Sequence, residues 1–287
     1  MTEPLIILAP MRSFSTVTGA MLGQHPQMYS LLETHLFICD TMGRWWAMCR
    51  HHNLDHGLAR AIAELLVGRQ DEASVEWART WILRHLHWTT AEFFRFLAGL
   101  VHPSVLVDKS PLIVNRIEHL QRAYAAFPHA RFLHLTRHPV GFGVSFLKFF
   151  NDLGIPIAID PQVRWHRQHS NVLKFLANVP PEQQMRLRGE DLLADPDHHL
   201  RTITSWLGLR TDADAIEKMK HPERSKFAKF GPNNARLGGG DTEFFRNPRL
   251  RRSKRAVQSL EGSLPWRFDG IGFTPDVRKL ARDLGYK

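Results

Sequence analysis

The sequence predicts an α/β protein, a three-layer sandwich with a central parallel sheet, helices on both faces and a long helical insertion. Three observations carry this reading. Short apolar runs alternate with helical stretches, the rhythm of a parallel sheet. The first run, LIILA from Leu5 to Ala9, lies between Pro4 and Pro10 and has no polar position, as expected of a strand buried on both faces. Between Leu36 and Leu100 the pattern is helical, rich in Trp, His and Arg, with no strand signal.

The elements follow in order. A polar turn, Met11 to Ser15, leads into a helix from Thr16 to Leu22 that Gly23 and Pro26 end. Tyr29 to Leu32 is a second strand candidate. After the insertion, Ser104 to Val107 reads as a strand and Pro111 to Phe127 as a helix. RFLHLT, Arg131 to Thr136, is the next strand, and the helix from Pro139 to Phe150 begins on a proline, whose missing N–H costs nothing at the first helical position. Pro161 to Leu176 reads as helix, Met185 to Leu187 as a short strand and Pro196 to Leu207 as helix. The tail beyond Pro222 is rich in Gly, Asn and Arg and reads as largely irregular. All 287 residues are expected to form one domain, with the insertion at about 36–100 and the irregular basic region at about 222–287.

Hydrophobic residues make up 43% and charged residues 23%, a globular composition that excludes a long disordered chain. A formal net charge of +10 points to an anionic partner. Two cysteines, Cys39 and Cys49, are too few for a disulfide scaffold. On one continuous helix they would be too far apart to bridge, so they read as small buried residues. With no leader segment and no apolar run of about 18 residues, the expected location is cytoplasmic and no membrane span is expected. The histidines show no HExxH and no spacing that pairs them with Cys, so no catalytic metal is expected.

Two turns have the makings of phosphate sites. PMRSFST, Pro10 to Thr16, leaves a buried strand and enters a helix. Backbone N–H groups in such a turn converge, the helix N-terminus adds positive partial charge, Arg12 adds a full one, and Ser13, Ser15 and Thr16 add hydroxyls. The same segment also reads as an ordinary capped helix, and it lacks the Walker pattern. The second turn follows RFLHLTRHP, where Arg137 sits at the carboxyl end of a strand, the place where open α/β sheets bind ligands. Ser145 lies eight residues on. The bland reading is a surface Arg and a core-facing Ser. Together the two turns suit a ligand with two separated phosphates.

At this point the residues resemble the sulfotransferases that use 3′-phosphoadenosine 5′-phosphosulfate (PAPS). PMRSFSTVTGAMLGQHP, Pro10 to Pro26, is similar to that family's 5′-phosphosulfate loop, and Arg137 with Ser145 to its 3′-phosphate motif. VDKSP, Val107 to Pro111, resembles its internal Lys-containing strand end, and RLRGEDLLADP, Arg186 to Pro196, its late acidic segment. The resemblance covers about 5–150 and 185–209, less the insertion. It implies a P-loop-NTPase-like sulfotransferase fold and PAPS as co-substrate, with adenosine 3′,5′-bisphosphate (PAP) as product. The nucleotide would contact Arg12, Ser13, Phe14, Ser15, Thr16, Arg137 and Ser145. The catalytic pattern is closest to that of tyrosylprotein sulfotransferases, where an acidic residue follows the loop Arg by 21 positions. Here that residue is Glu33, implied as the general base, with His35 as its rival; Arg12 and Lys109 would meet charge on the leaving phosphate. The Gly-rich stretch Gly231 to Gly240 is either a plain surface loop or a loop that closes on the nucleotide, with Arg236 as a contact.

Two residues depart from the family pattern. Phe14 stands where many members have Gly, and is expected to keep a negative φ with its ring away from the phosphate. Gly189 stands where the late segment usually has Tyr. The basic run Arg246 to Arg255 is a solvated helix face or a dock for an acidic carrier protein or an anionic substrate. Trp45, Trp46, Trp81 and Trp88 are core rings or walls of an apolar acceptor pocket. The expected acceptor is a hydroxyl or amine on a small or carrier-tethered molecule. Rival readings are a nucleotide kinase or NTPase, against which the missing Walker Lys speaks, and a basic nucleic-acid-binding protein, whose aromatics would interleave with its charges; here they keep core spacing, so no nucleic-acid partner is expected.

Overall fold

The computed structural model describes residues 2–251 and 258–287. Five strands, β1 (Leu5–Leu8), β2 (Met28–Ser30), β3 (Val105–Asp108), β4 (Arg131–Thr136) and β5 (Gln184–Arg188), form one parallel sheet in the order β2-β3-β1-β4-β5. In β1 the side chains alternate between two cores. Ile6 and Leu8 enter a large cluster shared with the insertion, and Leu5 and Ile7 enter a second one on the opposite face. All four are buried, which is why the run carries no polar position.

Helix α1 (Ser15–Leu22) follows β1. Between the second and third strands come α2 (Met42–Cys49), α3 (His56–Ile62), α4 (Glu72–Arg84) and α5 (Thr90–Val101), the helical insertion. After β3 the chain makes a 3₁₀ turn, Pro111–Asn115, before α6 (Ile117–Ala126). This corrects the single helix expected from Pro111 to Phe127. Arg116 is extended, and the carbonyls that a continuous helix would use are taken by α8 (Pro161–Leu176), where Asn171 Nδ2 donates to Val114 O and Asn115 O at 3.1 Å. Helix α7 (Pro139–Asp152) follows β4; α9 (Gly189–Ala194), α10 (Pro196–Trp206) and α11 (Ala213–Met219) follow β5.

The tail is more ordered than its composition predicts. It holds α12 (Thr242–Arg246) and α13 (Pro275–Asp283). Val277, Leu280, Ala281 and Leu284 repeat at helical spacing and join Phe142, Phe146 and Trp165 in a third core. Of the basic run, Arg252 to Arg255 lie outside the described residues; Arg246 closes α12 and Arg251 is exposed.

The insertion corrects another expectation. Cys39 and Cys49 do not share a helix: the chain is extended at Cys39 and Thr41, and the Thr41 hydroxyl caps α2. Both thiols are free and buried. The tryptophans pack among themselves and their neighbours, Trp45 fully buried and Trp81 stacked on Phe96 at 5.1 Å. A buried ion pair within the insertion carries a link to the tail: Arg79 Nε meets Asp55 Oδ2 at 2.9 Å, and Arg79 Nη2 donates to Asn234 O at 2.6 Å. Removing the cation leaves a carboxylate with no exposed surface. Arg79→Met is therefore expected to lower stability by about 3–5 kcal/mol, measured as a drop in urea midpoint at unchanged slope. A change below 1 kcal/mol would refute this account of the tie.

Candidate active site

In the order β2-β3-β1-β4-β5 the chain leaves β1 toward one edge and β4 toward the other, so a crevice opens beyond their carboxyl ends. The pairing of the two strands is in register, Leu8 opposite His134. Arg12 and Arg137, each a few residues further, therefore emerge side by side, and Arg137 Nη1 donates to Arg12 O at 2.5 Å. Burial lowers the Arg137 pKa to about 10, which leaves it charged at neutral pH. Ser145, from α7, meets the neighbouring arginine rather than Arg137: its Oγ accepts from Arg12 Nε at 3.1 Å. All three line a cleft of about 850 Å³.

The turn after β1 is wound tightly. Arg12 and Phe14 both have φ of 65°, in the left-handed region. Phe14 thus contradicts the negative φ expected of it. A side chain there costs about 1–2 kcal/mol, and the two left-handed residues curl the turn at the head of α1. Its ring lies under the Arg137 guanidinium, 4.5 Å from the ring centre. Ser15 and Thr16 line the cleft, whereas Ser13 is fully buried and turned away from it.

Across the cleft, register again sets the arrangement. Ser30 of β2 pairs with Val107 of β3, so Glu33 and Lys109 end as neighbours, with Lys109 Nζ 3.5 Å from Glu33 Oε1. The segment is held by a knot of buried polar groups that sequence reasoning missed. Asp108 Oδ1 accepts from Thr34 Oγ1 at 3.0 Å and Ser110 Oγ at 2.9 Å, and Ser110 Oγ accepts the N–H groups of Thr34 and His35. Trp45 Nε1 donates to Thr34 O. Asp108 and Ser110 flank Lys109 in VDKSP, so the signal was present but without an assigned role. Glu33 keeps 17% of its side chain exposed at the cleft wall, while Lys109 keeps only 3%.

Lys109 is covered because the Gly-rich stretch is neither a free surface loop nor open. Gly238 to Gly240 run across the cleft floor. Lys109 Nζ donates to Gly239 O at 2.9 Å, and Glu33 N donates to the same oxygen at 3.0 Å. Glycine is required here: a β-carbon on Gly240 would stand 2.7 Å from the Phe245 ring, and Gly239 has φ of 97°. The next residue, Asp241, was not singled out in the sequence. Its Oδ1 accepts from Arg12 Nη1 at 2.6 Å, and its N–H donates to Thr16 Oγ1 at 3.0 Å. Arg236 lies apart, exposed in an adjoining pocket that also reaches Arg12. Trp45, Trp46, Trp81 and Trp88 are absent from the cleft wall, which is built instead from Leu54, Leu112, Phe149, Phe150 and Leu153.

The model of the sulfotransferase family matches residues 4–213. The chain belongs to the sulfotransferase family. Its reaction is sulfuryl transfer. Among solved structures, the sulfotransferase domain from the curacin biosynthetic pathway is 22% identical, with 100% of this chain and 99% of that one covered and a TM-score of 0.83. The sulfotransferase domain of the Synechococcus PCC 7002 olefin synthase is 24% identical, covering 100% and 97%, with a TM-score of 0.78. A sulfotransferase of Mycobacterium avium is 15% identical, covering 100% and 78%, with a TM-score of 0.55. These likenesses bear out the sulfotransferase fold. No curated protein matches. Among the described residues of this sulfotransferase no helix is long and apolar enough to cross a membrane, and none groups three metal-ligating side chains.

The enzyme's two base candidates differ in environment. His35 is fully buried, and desolvation brings its pKa down to about 4, against the pull of Glu33, whose Oε2 is 3.6 Å away, and with the push of Lys109. Its ordinary value is 6.5. The folded value being the lower one, the unfolded chain binds the proton first, so this contribution is whole above about pH 6.5 and is lost as pH falls toward 4. Stability of the wild type is therefore expected to fall between pH 6.5 and 4 more steeply than that of His35→Gln, measured by urea unfolding across that range. Parallel curves would refute the buried neutral histidine.

Proposed function

We propose that the crevice over β1 and β4 holds PAPS, with Arg12, Thr16 and the turn's backbone at one phosphate and Arg137 at the other, and that Glu33 takes the proton of an acceptor hydroxyl. The observation that carries this reading is the contact of Arg137 Nη1 with Arg12 O, which sets two cations side by side at the carboxyl ends of adjacent strands. The fit to an anion is supported by Asp241: a carboxylate of the chain itself already sits on Arg12.

The donor supplies a sulfur bonded to a good leaving phosphate. The acceptor oxygen forms the new S–O bond, the old one breaks toward the 5′-phosphate, and the hydroxyl proton passes to the Glu33 carboxylate. The protein's task is to align the groups and meet the growing charge. Arg12 meets it directly. Lys109 stands a layer back, its ammonium on Gly239 O and facing Glu33. His35 suits the base role less, because its pKa near 4 makes it a weak proton acceptor. The rest of the cleft is largely apolar, with Leu54, Leu112, Phe150 and Ile155 beyond Glu33. This favours a hydroxyl on an apolar body, free or tethered to a carrier. No metal takes part in this scheme. Two free buried thiols favour a cytoplasmic location.

Calorimetric titration is expected to show PAP binding and little or no ATP binding. In the same titration, Asp241→Asn keeps the helix cap but frees Arg12, and is expected to tighten PAP severalfold. Equal preference for ATP, or weaker PAP binding by the variant, contradicts the proposed site. Glu33→Gln is expected to lose about 10²–10⁴-fold in turnover while still binding PAP, and His35→Ala to keep turnover within about tenfold. A near-normal rate for Glu33→Gln would remove Glu33 as the base.

A further inference from the structure

The two departures from the family pattern, Phe14 and Gly189, meet in space. The Phe14 ring lies against the Gly189 backbone so closely that a β-carbon on residue 189 would stand 2.2 Å from its Cδ2 and 3.0 Å from its Cγ. A phenyl ring in this place and a side chain at 189 exclude each other. The same ring carries the Arg137 guanidinium, 4.5 Å from the ring centre.

The backbone around Arg137 is fixed independently. Trp165 Nε1 donates to Arg137 O at 2.9 Å, and the N–H of His138 donates to Glu190 Oε1 at 2.8 Å. The guanidinium itself makes one hydrogen bond among the described residues, from Nη1 to Arg12 O. One bond leaves a long side chain free to turn about it. The flat face of a ring removes that freedom, since a guanidinium stacks on it in few orientations. Phe14 reaches this place only because its backbone is left-handed, a conformation a β-carbon resists and that needs a compensating contact.

We propose that Phe14 and Gly189 are a coupled pair of positioning residues: the ring, admitted by the missing side chain at 189, holds the Arg137 guanidinium in the orientation that receives a phosphate of the donor. This rests on the reading above that Arg137 meets the nucleotide. Phe14 acts through Arg137, so its loss shows in the donor and not in the acceptor.

The test is PAP titration of the full-length protein and four variants, with steady-state kinetics for both substrates. Phe14→Leu, which keeps apolar bulk but no π face, and Gly189→Ala, which displaces the ring, are each expected to raise the PAP Kd about tenfold. The KM for PAPS should rise in step, with kcat at saturating PAPS and the KM for the acceptor little changed. Phe14→Gly is expected to weaken PAP likewise, and Phe14→Gly/Gly189→Ala to bind no worse than Phe14→Gly alone, because without the ring there is nothing to displace. Wild-type affinity in Phe14→Leu and Gly189→Ala, or losses that multiply in the double variant, would overturn the assignment and leave the site standing. A wild type that does not bind PAP would overturn both. If Gly189→Ala does not fold, Phe14→Leu decides.

Discussion

The parallel, in-register pairing of β1 with β4 is the constraint on which the site depends. Each strand is short and buried, so a slip by one residue would turn Ile6 and Leu8 from one core into the other. The register is thereby fixed by the need to bury apolar side chains. The consequence is electrostatic: two arginines far apart in sequence leave neighbouring strand ends within a hydrogen bond of each other. The same logic on the other side of β1, through β3 to β2, brings Lys109 beside Glu33. Cores on both faces of the sheet hold the charged groups against their mutual repulsion.

The insertion acts on this site from behind. Its helices bind the tail through buried polar contacts: Arg79 to Asn234 O, Arg60 to Lys229 O, and the N–H of Gly238 to His56 Nδ1. These contacts hold the chain up to the first residue of the glycine run, which lies over Lys109. Gly57 completes the fit, since a β-carbon there would stand 2.1 Å from Glu33 O. The helical segment is thus less a wall of the cleft than the frame that holds the cleft's floor. That explains why its tryptophans face one another and not the ligand space.

Much of this was legible in the residues. The five strands and the two arginines follow from apolar runs and from what stands at their ends, because sheet physics makes both local; Glu33 and Lys109 were named only through the resemblance to the sulfotransferases. What was hidden is of two kinds. The glycine run could be recognised by composition, but its place over Lys109 depends on contacts with α3 and α4 that lie more than a hundred residues earlier. Asp241 was invisible for the same reason. Phe14 was misread because sequence supplies the penalty of a left-handed phenylalanine but not the compensating pair, a missing side chain at 189 and a cation to stack on. The helix from Pro275 to Asp283 was a signal overlooked: its apolar spacing is clear once the tail is not judged by its glycines.

Asp241 gives the resting protein a counterion of its own. A tethered carboxylate competes with every anion in solution at a high and constant effective concentration. A singly charged ion that takes its place exchanges one contact for another and gains little. On the proposed placement of PAPS, a molecule with anionic groups at both ends would replace the carboxylate at Arg12 and add Arg137 besides. Under that reading the tethered carboxylate would set an admission threshold by valence.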